Sequence, residues 1–169
     1  MSPSELKSLI REQTTYNRCD LSRLLSNSQS LSAVVTSLAE PFLNQRISAV
    51  AALDAMGFAL GGAVAHILGA GLILMRKPDK AAWQTHAQEF TDYAGRPSAF
   101  HLVTDAISPG QRVLLVDDWS ETGAQAYAAI QLLERAGAVV VGASFINIDY
   151  RVRNDPRFGQ YQLHAVVEY

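Results

Sequence analysis

The chain has 169 residues, enough for one domain (1–169) with a proper core. Hydrophobic residues make up 49% and charged residues 18%, and a net charge of −2 leaves no electrostatic footprint for nucleic acid or an anionic membrane. The one cysteine, Cys19, cannot form an internal disulfide, no Cys/His cluster points to zinc, and neither a membrane-length apolar run nor a signal-peptide pattern is present, so a cytoplasmic, reducing location is expected.

Residues 1–44 read as helices. Ser2-Pro3-Ser4-Glu5 predicts a helix start, with Ser2 as N-cap, Pro3 at the first helical position and Glu5 closing a capping box. That helix is expected to reach about Glu12, with Leu6, Leu9 and Ile10 on one face. Thr14–Asp20 is polar and irregular. A second helix is predicted over Ser30–Leu43, with Leu31, Val34, Val35, Leu38 and Phe42 at helical spacing and Pro41 bending or ending it.

Residues 45–169 read as an α/β core. Ile47–Leu53 is the apolar run of a buried parallel strand. Asp54-Ala55-Met56-Gly57-Phe58 turns into a slim helix, Ala59–Leu68, rich in glycine and alanine and ended by Gly69 or Gly71. A strand over Leu72–Met75 delivers Arg76 and Lys77, with Lys80 just beyond. Ala81–Ala99 is long, polar and mixed, either a lid or a surface hairpin. Phe100–Val103 reads as a returning strand, and Ile107–Gly110 as a Pro-Gly turn.

The centre of the chain is Arg112–Gln125, RVLLVDDWSETGAQ. Val113–Val116 has the length and β-branched content of a buried strand. Asp117 and Asp118 follow, then a short polar loop and a helix from Ala124 to Ala136 capped by Gly137. Strand, loop and helix in this order present unpaired N–H groups to an anion. Gly123 lets backbone approach a ligand closely. The two carboxylates suit ribose hydroxyls or a metal-bridged ligand rather than a bare phosphate. Ala138–Ile148 and Tyr161–Val167 read as further strands, separated by a charged loop, Asp149–Phe158. Strands alternating with helices predict a mostly parallel sheet with helices on both faces.

DDWSETGAQ resembles the phosphoribosyl diphosphate (PRPP) signature of the type I phosphoribosyltransferases, and the adenine branch of that family most of all. ALDAMGFALGGAVAHILGAGLILMRKPDK is similar in order and spacing to the segment with which that branch binds pyrophosphate. The resemblance implies an enzyme that moves ribose-5-phosphate from PRPP to a purine, adenine by preference, with Mg²⁺ and release of pyrophosphate, in purine salvage. It further implies a homodimer and a small N-terminal hood over the base.

By that resemblance Asp117 and Asp118 hold the ribose and reach Mg²⁺ through water. Thr122, Gly123, Ala124 and Gln125 take the 5′-phosphate. Asp54, Ala55, Met56, Gly57, Lys77 and Lys80 take pyrophosphate, and Arg18 (with Tyr16) and Trp119 are candidates for the base site. Asp92-Tyr93 is the local counterpart of a Glu-Tyr pair carried on the family's lid, which makes Asp92 a catalytic candidate. Glu121 matches an acidic residue that the hypoxanthine-guanine branch uses as general acid/base; its other reading is a dipole cap for the following helix. Two departures stand out. Met56 replaces the usual Arg, removing a bidentate phosphate ligand. Glu121-Thr122-Gly123-Ala124-Gln125 stands where the adenine branch has Ala-Thr-Gly-Gly-Thr. Alternatives are a PRPP- or nucleotide-binding regulator without turnover, or a transferase for another nitrogen heterocycle.

Overall fold

The computed structural model describes residues 1–11, 19–78, 85–92 and 94–168. Tyr16, Arg18, Lys80 and Tyr93 lie outside them.

Helix α1 (Pro3–Ser8) starts as its sequence dictates: Ser2 Oγ accepts the Glu5 N–H, and the Glu5 carboxylate accepts the Ser2 N–H at 2.6 Å. It ends well before Glu12, because Arg11 leaves the helix to pair with Asp20 in an isolated bridge. A short α2 (Ser22–Leu25) comes next. Helix α3 (Ser28–Ala39) begins before the expected Ser30, since the Asn27 side chain accepts the N–H groups of Gln29 and Ser30. Pro41 sits in a 3₁₀ turn, Glu40–Phe42, that closes it.

The core follows as β1 (Ala49–Leu53), α4 (Met56–Leu68), β2 (Gly71–Met75), a hairpin of β3 (Thr85–Thr91) and β4 (Pro97–Val103), then β5 (Arg112–Ser120), α5 (Ala124–Arg135), β6 (Val139–Ile148), α6 (Tyr150–Arg153) and β7 (Gln162–Val167). One parallel sheet has the order β2-β1-β5-β6-β7. It carries an apolar core on each face. Leu53, Leu115 and Phe145 meet Ile130 and Leu133 of α5 and Phe100 of the hairpin; Val50, Leu114 and Ile146 meet Leu38 of α3 and Leu60 of α4. Covering both faces is what makes the strands read as continuous apolar runs. The expected slimness of α4 is real: a Cβ on Gly61 would stand 2.6 Å from the Ala52 Cβ, so a glycine is what lets the helix lie this close to β1.

Two elements differ from expectation, and a third takes one of its two expected forms. The segment 85–103 is an antiparallel hairpin, in register from Thr85 opposite Val103 to Thr91 opposite Pro97. It is pinned to the body by a bridge between Arg76 and His101 and by the Arg135 guanidinium, which donates to the Ala87 carbonyl at 2.8 Å. Strand β5 does not stop at Val116. It runs on through both aspartates to Ser120, because β6 pairs alongside as far as Ile148 while β1 has already ended. The charged stretch 149–158 folds into α6 and a 3₁₀ turn, Pro156–Phe158.

The chain leaves β1 toward β2 on one side and β5 toward β6 on the other. The C-terminal ends of these neighbours therefore flank a topological switch point, the place where open α/β sheets bind ligands.

Candidate active site

A cavity of about 760 Å³ opens at that switch point. Each wall comes from the end of an element. Asp54 follows β1, is buried, and has its carboxylate 3.5 Å from the Lys77 N–H at the end of β2. The Asp54–Ala55 peptide is cis. Met56 opens α4 and lines the cavity with 40% of its surface exposed. Lys77 brings a cation to the same side.

The opposite wall is the end of β5 and the loop into α5. Asp117 is only 8% exposed, and Asp118 beside it accepts the Trp119 N–H at 2.9 Å. Burial, and then the neighbouring Asp118, push the Asp117 carboxyl well above the usual carboxylate range. Beyond them Glu121, Thr122 and Gly123 turn the chain into α5, whose first-turn residues Gln125 and Ala126 also line the cavity. Gly123 is required twice over. Its φ is 72°, and a Cβ there would stand 2.8 Å from the Phe158 ring.

Most of the residues expected to bind ligand do line this one cavity: Asp54, Ala55, Met56 and Lys77 on one side, Asp117 to Gly123 with Gln125 on the other. Three others among the described residues require comment, as does Glu121. Gly57 faces β5 instead; its absent Cβ would be 2.9 Å from Asp117 Oδ1, so its smallness lets α4 pack beside the carboxylate pair. The Ala124 N–H is already taken by Thr122 Oγ1 at 3.3 Å. Thr122, and not Glu121, supplies the side-chain bond seen at the start of α5. Glu121 is exposed at the cavity, and its charge is felt by Arg151. Asp92 is not among the residues that line the cavity. It sits in the hairpin turn, where it accepts the N–H groups of Ala94 (2.8 Å) and Arg96 (2.9 Å) and pairs with the Arg96 guanidinium. The Arg96 N–H holds this carboxyl below its ordinary range, as suits a turn cap. Arg18 and Lys80 lie outside the described residues.

Sequence reasoning passed over Phe145 and Asp149, which also line the cavity. Both belong to β6 or its end, and only strand pairing brings them beside Asp117 and Ser120. Asp149 is held by Arg151 through two side-chain bonds of 2.9 and 3.0 Å, which keep its carboxyl below the usual range.

Among the described residues no group of three or more His, Cys, Asp or Glu side chains is placed to hold a metal ion. Two adjacent carboxylates beside an anion cradle fit a Mg²⁺ ion that keeps several waters and enters with a diphosphate.

A doubly wound parallel sheet with an acidic pair, a Thr-Gly loop and a helix N-terminus at its switch point defines a type I phosphoribosyltransferase fold. Comparison with known proteins agrees. Adenine phosphoribosyltransferases of Rhodopirellula baltica and Maricaulis maris are 38% identical over 151 residues (89% of this chain, 72% of theirs) and 40% identical over 147 residues (84% and 83%). The crystal structure of adenine phosphoribosyltransferase from Rhodothermus marinus superposes with a TM-score of 0.89 at 33% identity, covering 98% of this chain and 97% of that one. No protein-family model matches the chain. The chain belongs to the adenine phosphoribosyltransferase family.

Proposed function

We infer that the protein joins adenine to the ribose-5-phosphate of PRPP and releases pyrophosphate. The observation that carries this reading is the single cavity at the ends of β1 and β5, which gathers a carboxylate pair, a helix N-terminus and Lys77 in a chain of this family. In the reaction the bond from ribose C1′ to the diphosphate oxygen breaks, the bond from C1′ to a purine ring nitrogen forms, and that nitrogen loses its proton. The intervening sugar carries positive charge, so the protein's task is positioning and electrostatics.

The residues divide the task. Asp117 and Asp118 hold the ribose hydroxyls and face the cationic sugar. The Thr122–Gln125 backbone cradles the 5′-phosphate at the start of α5. Lys77 and the Asp54–Met56 turn receive the leaving diphosphate. Bound Mg²⁺ would neutralise diphosphate charge, with Asp117 and Asp118 meeting its waters. Glu121, an exposed carboxylate at the cavity, accepts the proton from the base. Trp119, which lines the cavity beside Asp118, forms one wall of the base site. A homodimer would bury Leu72 and Ile67, 43% and 42% exposed at one edge of the sheet. No helix among the described residues is long and apolar enough to cross a membrane.

The test is AMP formation from PRPP and Mg²⁺ with adenine, against hypoxanthine, guanine and xanthine. Adenine should turn over by far the fastest. Nucleotide formed from another base in preference would move the protein to another acceptor, and no product from any base would make it a binder. Glu121→Gln should lower kcat by about 100-fold at neutral pH and leave PRPP affinity unchanged, as expected for general-base loss. An unaffected kcat would remove Glu121 from the proton path.

Met56 gives a prediction of opposite sign. Its thioether occupies a position where a guanidinium would reach the diphosphate in two hydrogen bonds. Met56→Arg should lower KM for PRPP by about 10-fold, one charge-assisted bond's worth. An unchanged KM would show that the cations already present suffice.

A further inference from the structure

The phosphate loop rests on a part of the chain that lies far from it in sequence. Arg157, in the 3₁₀ turn after α6, is clamped from three sides. Its Nε and Nη2 donate to Asp155 Oδ2 at 2.8 and 2.6 Å. Its guanidinium lies 5.1 Å from the centre of the Tyr127 ring on α5 and 5.9 Å from that of Phe158. So held, Nη2 also points at the Thr122 carbonyl, 3.4 Å away. The next residue, Phe158, fills the space against Gly123 that a side chain would need.

The Thr122 carbonyl belongs to the peptide group whose N–H is that of Gly123. In a trans peptide these two bonds point opposite ways. A cation holding the carbonyl on the Arg157 side therefore turns the Gly123 N–H away from Arg157, and Gly123 itself lines the cavity. Were this peptide to flip, a carbonyl oxygen would face the 5′-phosphate, replacing an attraction with a repulsion. A glycine at φ 72° offers little resistance of its own to such a flip. Drawing density toward the carbonyl also polarises the N–H as a donor. Arg157 cannot act here as a loose cation, because Asp155 neutralises it at contact distance.

We propose that Arg157 is a positioning residue for substrate: it orients the Thr122–Gly123 peptide so that the Gly123 N–H meets the 5′-phosphate. This deepens the phosphoribosyl reading given above and rests on it. The role is selective. It concerns ligands with a 5′-phosphate and leaves the base and ribose contacts alone.

The experiment compares AMP with adenosine, which lacks the 5′-phosphate, by calorimetric titration of the wild type, Arg157→Met and Arg157→Lys. Methionine keeps the stem over Tyr127 and Phe158 and removes the donors. Arg157→Met should weaken AMP about fivefold, raise KM for PRPP by the same factor, and leave adenosine binding and kcat within about twofold. Arg157→Lys, with charge and a donor retained, should recover part of the loss. Equal weakening of AMP and adenosine in both variants, or no weakening of AMP in either, would overturn the proposal. A wild type that binds no AMP would instead overturn the functional reading, and the proposal with it.

Discussion

Asp117→Asn should lower kcat/KM for PRPP about 100-fold and yet raise the melting temperature of the ligand-free protein at neutral pH. The first effect follows from its place: a buried carboxyl at the switch point, lining the cavity, with Asp118 beside it. An amide keeps the shape but cannot accept two hydroxyls or counter a cationic sugar. The second follows from the direction of its pKa. Burial and Asp118 raise the folded-state pKa above the unfolded one. Between those two values the folded protein binds more protons than the unfolded chain, so stability falls as pH rises through that window. The penalty is absent below the ordinary carboxylate range and fully present above the raised pKa. Asparagine never ionises and escapes it. The gain in melting temperature should therefore vanish toward pH 4 and grow as pH rises from there, with thermal denaturation across pH as the check. A variant that loses stability at neutral pH would show that the carboxylate is compensated in the folded state.

Gly123→Val should cost about 2–5 kcal/mol of stability and abolish measurable turnover. A β-branched residue at φ 72° is strained by about 1–2 kcal/mol. Its Cβ would also enter the space of Phe158 and of Val152 Cγ1, 3.3 Å away, and overpacking adds about 1–3 kcal/mol. Relief comes only by moving the loop, and the loop is the proposed cradle of the 5′-phosphate. Gly110→Ala separates the two causes. It has a similar φ of 79° but nothing within 4 Å of the new Cβ, so it should cost about 1 kcal/mol and leave activity intact. Chemical denaturation with PRPP turnover measures both. A Gly123→Val protein as stable as Gly110→Ala would mean that Phe158 does not press on the loop.

Much of this architecture is legible in the sequence because a parallel sheet buried on both faces leaves a strong mark. Val113–Val116 and the alternating helices predict the sheet, and DD-x-x-x-TG predicts where ligand would sit. The misses have physical reasons. Asp117 to Ser120 do not look like strand residues, yet β6 pairs with them after β1 has ended, leaving one edge of β5 open for polar side chains to face a ligand. The hairpin 85–103 lacks an apolar pattern because little besides Phe90, Phe100 and Leu102 packs on the body. Gly57 stands inside a ligand motif, and its smallness also serves packing against Asp117, which only the fold reveals. Asp149 and Arg157 carry no motif. They matter only because β6, α6 and the following turn bring them beside Ser120 and Thr122.

Trp119 offers the most direct test of the central claim, that PRPP occupies this cavity. It lines the cavity next to the carboxylate pair, and the chain's only other tryptophan is Trp83. In a Trp83→Phe background, PRPP with Mg²⁺ should change Trp119 emission saturably, at a concentration matching the KM for PRPP, and Asp118→Asn should shift the curve to higher concentration. Turnover of PRPP and adenine at full rate with no change in Trp119 emission would place the reaction elsewhere and contradict the account.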